Sequence, residues 1–250
     1  MTRVLITGST AGLGLMAGRL LAADGHAVTV HARSPERAAA LTTDVVVGDL
    51  STIAGMRAVA AQANEKGRYD AVIHNAGVGY REPRTTTADG LEHVFAINVL
   101  APYLLTALMQ RPDRLVYLSS GMARGGDPGL DDPQWTDRRW NGAQAYSDSK
   151  LYDLLLAFGI ARRWPGVRSN AVEPGWVATR MGGPGAPDDL AQGPVTQAWL
   201  AAGDDPATRV TGELFYHRRP QPAPAEAHDA RYQDALLDYC ADLTGTPFPS

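Results

Sequence analysis

The sequence of 250 residues lacks the features that mark secreted and membrane-spanning proteins. Its single cysteine, Cys240, cannot form a disulfide within the chain, which suits a reducing compartment such as the cytoplasm. No apolar run reaches the roughly 20 residues that a membrane-spanning helix needs. The sequence therefore predicts a cytoplasmic protein that has no membrane partner.

Basic patches and metal-ligand patterns are also absent from the sequence. Acidic residues outnumber basic ones by 27 to 23, a net charge of −4 at pH 7, which argues against nucleic acid as a partner. The six histidines show no spacing typical of metal ligands, and we expect them on the surface or in satisfied buried positions. No metal site is therefore predicted.

Tyr146 and Lys150 lie four residues apart in a segment that predicts a helix. Four residues are close to one helical turn, so both side chains lie on one face of that helix. A phenol ionises near pH ~10, and a neighbouring ammonium favours the phenolate and lowers this pKa. The pair therefore predicts a tyrosine that acts as a general acid or base.

A glycine-rich turn lies near the start of the chain, between the apolar run 4–6, which predicts a buried strand, and a predicted helix over 12–23. Glycines let the backbone approach a pyrophosphate, and a helix N-terminus offers free N–H groups at its positive end. We therefore expect this turn to bind a dinucleotide. The residues expected to contact it are Gly8, Ser9, Thr10, Gly12, Leu13 and Gly14.

Strand-like and helix-like segments alternate along the rest of the chain, which predicts an α/β fold. We expect one domain over 1–250, a doubly wound Rossmann fold with a seven-stranded parallel sheet and helices on both faces. The predicted strands are 3–7, 27–32, 45–47, 71–74, 114–119, 167–172 and 213–216. The predicted helices are 12–23, 35–40, 53–66, 90–109, 143–163, 195–202 and 225–243.

The order of these motifs resembles that of the short-chain dehydrogenase/reductase family. The matches lie between residues 2 and 216: Thr7-Gly8-x-x-x-Gly12-x-Gly14, Asp49-Leu50, Asn75-Ala76-Gly77, Asn98, Ser119-Ser120, Tyr146-x-x-x-Lys150 and Pro174-Gly175-x-Val177-x-Thr179. His74 departs from the family's Asn-Asn-Ala-Gly pattern. The long 121–142 connection and the Tyr-x-x-Ser-Lys core are similar to those of the retinol-dehydrogenase-like branch.

The resemblance implies hydride transfer between a nicotinamide and a carbonyl or alcohol carbon. In that family, the residue matched by Tyr146 exchanges the proton, and Lys150 would lower its pKa and hold the nicotinamide ribose. Ser120 would position the substrate oxygen, and Asn98 would hold a water that links Lys150 to solvent. Ser119 competes with Ser120, but the second serine usually faces the substrate, and strand alternation then turns Ser119 away.

The resemblance also implies cofactor contacts beyond the glycine-rich turn. They are Asp49 and Leu50 at the adenine, Pro174, Gly175, Val177 and Thr179 beside the nicotinamide, Asn75, Ala76 and Gly77, and Tyr146 and Lys150 themselves. Ala32 takes the place of the acid that usually binds the ribose 2′-hydroxyl. Arg33 follows it, and a guanidinium can hold a phosphate bidentately. We therefore expect NADP(H) to be preferred over NAD(H), with Ser34 and Arg37 assisting Arg33.

Substrate and assembly are less specified by the sequence. Glycine and proline in 180–193 predict a mobile substrate loop, and Trp140, Trp176 and Met181 suit either a pocket for a hydrophobic carbonyl or alcohol or simply the core. Apolar residues cover more than one face of the helix after Tyr146, which favours a homodimer or homotetramer. Two alternatives are a catalytically quiet NADP(H)-sensing regulator, which typically lacks the tyrosine or lysine, and an epimerase of the extended branch, whose chains are longer.

Overall fold

An eight-stranded sheet forms the centre of the protein, which a computed structural model describes over residues 1–39, 41 and 43–249. Its strand order is β3-β2-β1-β4-β5-β6-β7-β8. The strands are β1 (Arg3–Ile6), β2 (Ala27–Ala32), β3 (Asp44–Val47), β4 (Ala71–His74), β5 (Arg114–Leu118), β6 (Arg168–Glu173), β7 (Leu214–Tyr216) and β8 (Arg219–Gln221). The first seven are parallel, as predicted, while β8 pairs with β7 in the antiparallel direction and was not predicted.

Helices cover both faces of the sheet, which confirms the doubly wound α/β fold. They are α1 (Gly12–Ala23), α2 (Pro35–Ala38), α3 (Ile53–Glu65), α4 (His93–Phe95), α5 (Ala101–Leu108), α6 (Gly142–Arg163), α7 (Val195–Ala202) and α8 (Ala230–Thr244). Alternation along β1 serves both layers, because Leu5 packs with the α3, α5 and α6 side while Val4 and Ile6 pack with α1 and α7.

Two predicted helices differ from the observed ones. The helix expected over 90–109 begins at His93 and contains a π-helical segment, Ala96–Leu100, before it continues as α5. The helix expected over 225–243 starts as a 3₁₀ turn, Ala225–His228, and becomes α8 only after the Asp229 cap. The predicted end of α2 at Ala40 lies outside the described residues.

The apolar residues of α6 are covered within the chain itself. Leu154, Leu155 and Leu156 are fully buried, and α8 packs along this helix. Gly159 makes the close approach possible, because a Cβ placed there would lie 3.2 Å from the Cβ of Gln233 on α8. The apolar surplus that suggested an oligomer interface on α6 is therefore used for internal packing. None of the helices described here has the length and apolarity required to cross a bilayer.

Candidate active site

The glycine-rich turn connects β1 to α1 at the carboxyl edge of the sheet. Gly8 and Gly12 have φ values of +63° and +56°, a region that favours glycine. A Cβ on Gly8 would also lie 2.7 Å from the Cα of Ala76, so the turn packs directly on the segment after β4. The Thr7 hydroxyl fixes this contact by accepting the N–H groups of Asn75 and Ala76, each at 3.0 Å.

His31 of β2 holds the same turn by a hydrogen bond, a role that the sequence did not reveal. Its Nδ1 accepts the N–H of Gly8 at 3.0 Å, and its Nε2 lies 2.8 Å from the carbonyl oxygen of Gly48. Burial lowers the pKa of His31, which keeps the ring neutral and its Nδ1 able to accept. The imidazole therefore links the β1–α1 turn to the end of β3.

The segment after β2 carries the residues expected at the adenosine end of the cofactor. Ala32 is fully buried, while Arg33 is exposed and has no hydrogen-bond or ion-pair partner among residues 1–39, 41 and 43–249. The Ser34 hydroxyl interacts with Glu36 and lowers the pKa of that carboxyl group. A guanidinium that is unpaired among the described residues thus lies where the resemblance places a ribose phosphate, with no acid at the Ala32 position.

Tyr146 and Lys150 lie on one face of α6, with the Lys150 Nζ 5.6 Å from the centroid of the Tyr146 ring. Both side chains are buried, and the Lys150 Nζ donates to the Leu118 carbonyl at 2.7 Å and to Asp153 Oδ2 at 2.8 Å. Gly77 passes over the lysine, since a Cβ placed there would lie 3.7 Å from the Nζ. The structure thus brings β4, β5 and α6 together around the ammonium.

The two serines after β5 face different surroundings. Ser119 is buried and donates its hydroxyl hydrogen to the Lys150 carbonyl at 2.8 Å, which holds α6 against the strand end. Ser120 is half-buried, and its Oγ accepts the N–H of Met122 at 3.2 Å, which leaves its hydroxyl hydrogen available. This geometry agrees with the expectation that Ser120, rather than Ser119, presents a hydroxyl to a substrate.

Asn98 lies within the π-helical segment and is fully engaged by the protein. Its Nδ2 donates to the Ser149 Oγ at 3.0 Å and to the Val78 carbonyl at 3.1 Å, while its Oδ1 accepts the Val78 N–H at 2.8 Å. The side chain therefore connects the 75–78 segment to α6. A water held by Asn98 would have to use the second lone pair of its Oδ1 or its main-chain carbonyl, because both hydrogens of Nδ2 are donated.

A cavity of about 390 Å³ opens in front of the Tyr146 hydroxyl. The residues that line it come mainly from four of the predicted motifs and from the two predicted loops: Leu13, Tyr80, Ser119, Ser120, Gly121, Met122, Tyr146, Glu173, Pro174, Gly175, Trp176, Val177, Thr179, Met181 and Gly182. The Met181 Sδ lies 3.9 Å from the Tyr146 oxygen, and the Tyr80 ring meets the Tyr146 ring edge-on at 6.0 Å. The wall next to the Tyr146 hydroxyl is thus aromatic and thioether in character.

The two predicted loops lie near this cavity but contribute differently. In the 180–193 segment, Gly182 accepts the Trp176 Nε1–H at 2.9 Å, and Asp188 accepts the Trp176 N–H at 2.6 Å. The 121–142 segment starts with a 3₁₀ turn and then packs on itself, with Trp140 edge-on to Trp135 at 5.3 Å. Trp176 and Met181 therefore line the cavity, which agrees with the pocket interpretation instead of the core interpretation, whereas Trp140 does not line it.

Sequence comparisons identify the class of protein that carries this site. The family model described as short chain dehydrogenase matches residues 2–123. The uncharacterized oxidoreductase AN7799 of Emericella nidulans is 39% identical over 100% of this chain and 99% of that protein. A Streptomyces protein assigned as the daunorubicin C-13 ketoreductase DnrU is 32% identical over 97% of this chain and 92% of that protein. The chain therefore belongs to the short-chain dehydrogenase/reductase family and is an oxidoreductase.

Further relatives agree with this assignment. Human retinol dehydrogenase 13 is 33% identical over 72% of this chain and 60% of that protein, which supports the likeness to the retinol-dehydrogenase-like branch. A crystal structure of an uncharacterized protein from Mycobacterium paratuberculosis has a TM-score of 0.85 and 30% identity, over 100% of this chain and 96% of that one. A blue fluorescent protein from a metagenomic library, solved with NADPH, shares the fold at a TM-score of 0.67 and 23% identity, over 86% and 95%.

Proposed function

We propose that the protein is an NADPH-dependent oxidoreductase that transfers a hydride between the nicotinamide and a carbonyl or alcohol substrate, with Tyr146 as the general acid or base. The observation that carries this proposal is the convergence on one cavity of the Tyr146 hydroxyl, the Ser120 hydroxyl and the glycine-rich turn, with the Lys150 ammonium beside the phenol. The single domain and the roles of the 121–142 insertion and the 180–193 substrate loop are part of the same proposal.

The residues present fit a dinucleotide. The N-terminus of α1 has no side-chain cap, so its first N–H groups remain available for a pyrophosphate. Nothing lies within 4 Å of the point where a Cβ on Gly12 would stand, so the backbone there is open to a close ligand. Gly8, Ser9, Thr10, Gly12, Leu13 and Gly14 would hold the pyrophosphate, and the 75–77 and 174–179 segments would hold the nicotinamide end. When bound, the nicotinamide supplies or accepts the hydride.

Tyr146, Lys150 and Ser120 would carry out the proton transfer and orient the substrate oxygen. During reduction the Tyr146 hydroxyl donates its proton to the developing alkoxide, while Ser120 donates a hydrogen bond that orients the same oxygen. The nearby Lys150 ammonium favours the phenolate that remains and lowers the free energy of the transfer. Asn98 would hold a water through its main-chain carbonyl or the second lone pair of its Oδ1, because its Nδ2 hydrogens are donated to Val78 and Ser149.

A preference for NADP(H) over NAD(H) rests on Arg33. This side chain is exposed and unpaired among the described residues, and the buried Ala32 beside it cannot repel a phosphate. Asp49 and Leu50 would border the adenine. Ser34 would assist only after leaving Glu36, which now interacts with its hydroxyl.

The substrate proposed for the cavity is a hydrophobic aldehyde or ketone, or the corresponding alcohol. Trp176 and Met181 are 53% and 38% exposed, large apolar surfaces that a nonpolar substrate would cover. The name of the Streptomyces relative, a C-13 ketoreductase, supports a ketone as the reacting group. Met181 approaches the Tyr146 oxygen, so we expect it to move when a substrate oxygen binds there.

The cytoplasmic location and the homodimer or homotetramer stay predictions. Because α8 covers the apolar face of α6, an oligomer would have to form through another surface. Light scattering at working concentration gives the mass: two or four copies would support the prediction, and a single copy would remove it.

The regulatory alternative is disfavoured by the presence of Ser120, Tyr146, Lys150 and Asn98 together.

Replacement of Tyr146 by Phe tests the proposed function. It keeps the ring and removes the acid, so we expect kcat for NADPH-dependent reduction to fall on the order of 100-fold or more. Tyr152→Phe is the matched control, because Tyr152 is also buried on α6 but donates its hydroxyl to the Gly129 carbonyl at 2.7 Å, away from the cavity. Normal turnover in Tyr146→Phe, or an equal loss in both variants, would contradict the assignment. NADPH binding without turnover in the wild-type protein would favour the regulator.

A further inference from the structure

The Lys150 ammonium has an acidic partner that the family pattern does not include. Asp153 lies one turn further along α6, and its Oδ2 is 2.8 Å from the Lys150 Nζ. The side chains are 6% and 3% exposed, so the ion pair is shielded from water. An ammonium has three donors, and the structure provides acceptors for two of them, Asp153 and the Leu118 carbonyl.

We infer that Asp153 is a positioning residue for the proposed reaction: it balances the buried charge of Lys150 and orients the ammonium so that one donor remains on the side of Tyr146 and Gly77. This inference rests on the proposed function, because it gives Asp153 a part in the proton chemistry of Tyr146. Asp153 does not line the cavity and acts through Lys150.

The titratable groups that surround Lys150 leave Asp153 as the counter-charge of its ammonium. Tyr146 faces the ammonium from α6, and Tyr117 of β5 lies near Asp153, with the His74 ring of β4 behind it at 4.7 Å. Burial raises the pKa of Tyr117 and lowers that of His74 to about 3, so both are neutral at pH 7. Burial also raises the pKa of Asp153, while the charge and hydrogen bond of Lys150 oppose that rise and favour the carboxylate.

The carboxylate makes proton loss from the Lys150–Tyr146 pair more difficult. Burial alone would lower the pKa of Lys150, but the Asp153 charge opposes this effect and the pKa is raised. Reduction needs the fully protonated pair, with a neutral phenol and a charged ammonium. Removing a negative charge favours loss of one proton, whichever of the two groups loses it. The upper pH limit of kcat for reduction therefore depends on Asp153.

Asp148 provides a matched control on the same helix. Its side chain is also 3% exposed and ion-paired, with Arg138 at 3.1 Å, but it faces the 121–142 segment instead of Lys150. Asp148→Asn removes a buried paired carboxylate just as Asp153→Asn does. A general loss of packing or stability should therefore affect both variants, whereas an effect transmitted through Lys150 should affect only one.

The first test is the pH dependence of kcat for reduction in the wild-type protein and in Asp153→Asn, Asp153→Glu and Asp148→Asn. We expect the upper limit to move down by about one pH unit or more in Asp153→Asn, because a neighbouring charge shifts a pKa by roughly 1–3 units. Asp153→Glu should restore most of it, and Asp148→Asn should leave it in place. An unchanged limit in folded Asp153→Asn, or an equal shift in Asp148→Asn, would overturn the inference.

A second test does not depend on turnover. Lys66 and Lys150 are the only lysines of the sequence, so lysine labelled with ¹³C at Cε gives two NMR signals, which Lys66→Arg assigns. We expect Lys150 in the wild-type protein to keep its proton to at least the ordinary value of about 10.4 and to lose it at lower pH in Asp153→Asn. Deprotonation of wild-type Lys150 well below that value would overturn the inference even if Asp153→Asn does not fold. A wild-type protein that reduces no carbonyl would contradict the proposed function, while this titration still tests the ion pair.

Discussion

The polar side chains around the cavity have hydrogen-bond partners within the protein, and these partners determine which side chains remain available to bind a substrate. Ser119 is bound to the Lys150 carbonyl and Asn98 to Val78 and Ser149, so neither side chain is free for a substrate. Ser120 keeps a hydroxyl hydrogen that can be donated into the cavity, and the Tyr146 hydroxyl donates only to the Met181 sulfur, at 3.9 Å, a weak acceptor that a substrate oxygen can replace. The residues that remain available are thus those that the proposed proton transfer requires.

At the residue scale, some of the candidate site could be predicted from the sequence, and some of it depends on the fold. Strand alternation predicts different surroundings for Ser119 and Ser120, but both lie just after the end of β5 and both line the cavity, and their hydrogen bonds are what distinguish them. The spacing of Lys150 and Asp153 is visible in the sequence, but an i, i+3 acid–base pair is usually exposed, and only the fold shows that this one is buried. His31 gave no signal either, since its bond to Gly8 depends on how β1 and β2 pair.

The cofactor preference should respond to Arg33. Asp at this position would repel a 2′-phosphate and accept the ribose 2′-hydroxyl, so the ratio of kcat/KM for NADPH to that for NADH should fall by about 100-fold or more. Arg209→Asp, which makes the same charge change at another exposed site, should leave the ratio within about two-fold. Steady-state rates with both cofactors measure it, and an unchanged ratio in Arg33→Asp would contradict the phosphate assignment.

His74 should make the protein sensitive to acid. Its pKa falls from 6.5 to about 3 on burial, so the unfolded chain binds more protons between these values, and stability is lost as the pH falls through this window. Between pH 7 and pH 5 this residue should remove about 2 kcal/mol from the free energy of unfolding. His74→Asn should show a correspondingly weaker pH dependence in urea titrations, with the exposed His228→Asn as control. Equal slopes in all three proteins would contradict this account.

At the scale of elements, the bounds of several helices and strands could be predicted from strong local sequence patterns. The elements that differ from prediction depend on tertiary contacts. The predicted bounds of β2, β4, α1 and α7 match the structure, because apolar periodicity and glycine turns mark their ends clearly. The π-helical segment around Asn98 could not be predicted, since five apolar-rich residues do not distinguish one helical period from another. Strand β8 reads Arg-Pro-Gln and forms only because β7 offers an edge.

The contact between α6 and α8 depends on a glycine. Gly159→Leu would force a larger side chain against Gln233 and Leu237 of α8 and should reduce the free energy of unfolding by about 1–3 kcal/mol. Gly166→Ala is the control, because nothing lies within 4 Å of a Cβ there. Urea denaturation measures both, and equal stability of the two variants would show that the helices do not pack at this point.

At the scale of the whole molecule, the chain brings distant segments to one edge of the sheet. The strand order reverses between β1 and β4, which opens a crevice at their carboxyl ends where α/β proteins bind ligands. The glycine-rich turn, the 75–77 segment, Ser120 and the 174–179 segment all follow strands at this edge. This arrangement could be anticipated from the sequence because parallel strands end together. The sequence also offered Met181 as a pocket residue, but its position 3.9 Å from the Tyr146 oxygen depends on the loop conformation and could not be predicted.

Cofactor binding should stabilise the entire fold. A ligand at 100 times its Kd adds about 2.7 kcal/mol to the free energy of unfolding, which for a chain of this size raises Tm by roughly 5–10 °C. NADPH should give a larger shift than NADH at equal concentration, and Arg33→Asp should reverse that order. Thermal denaturation followed by circular dichroism measures this, and no shift with either dinucleotide would contradict the cofactor site.

The most direct measurement is transfer of deuterium from NADPH labelled at nicotinamide C4, with each label stereoisomer incubated in turn with a panel of hydrophobic aldehydes and ketones. We expect one stereoisomer to deliver deuterium to the carbinol carbon of the product, seen by mass spectrometry, and Tyr146→Phe to slow this transfer on the order of 100-fold or more. Reduced product without deuterium from either stereoisomer, or equal transfer in Tyr146→Phe, would contradict hydride transfer assisted by Tyr146.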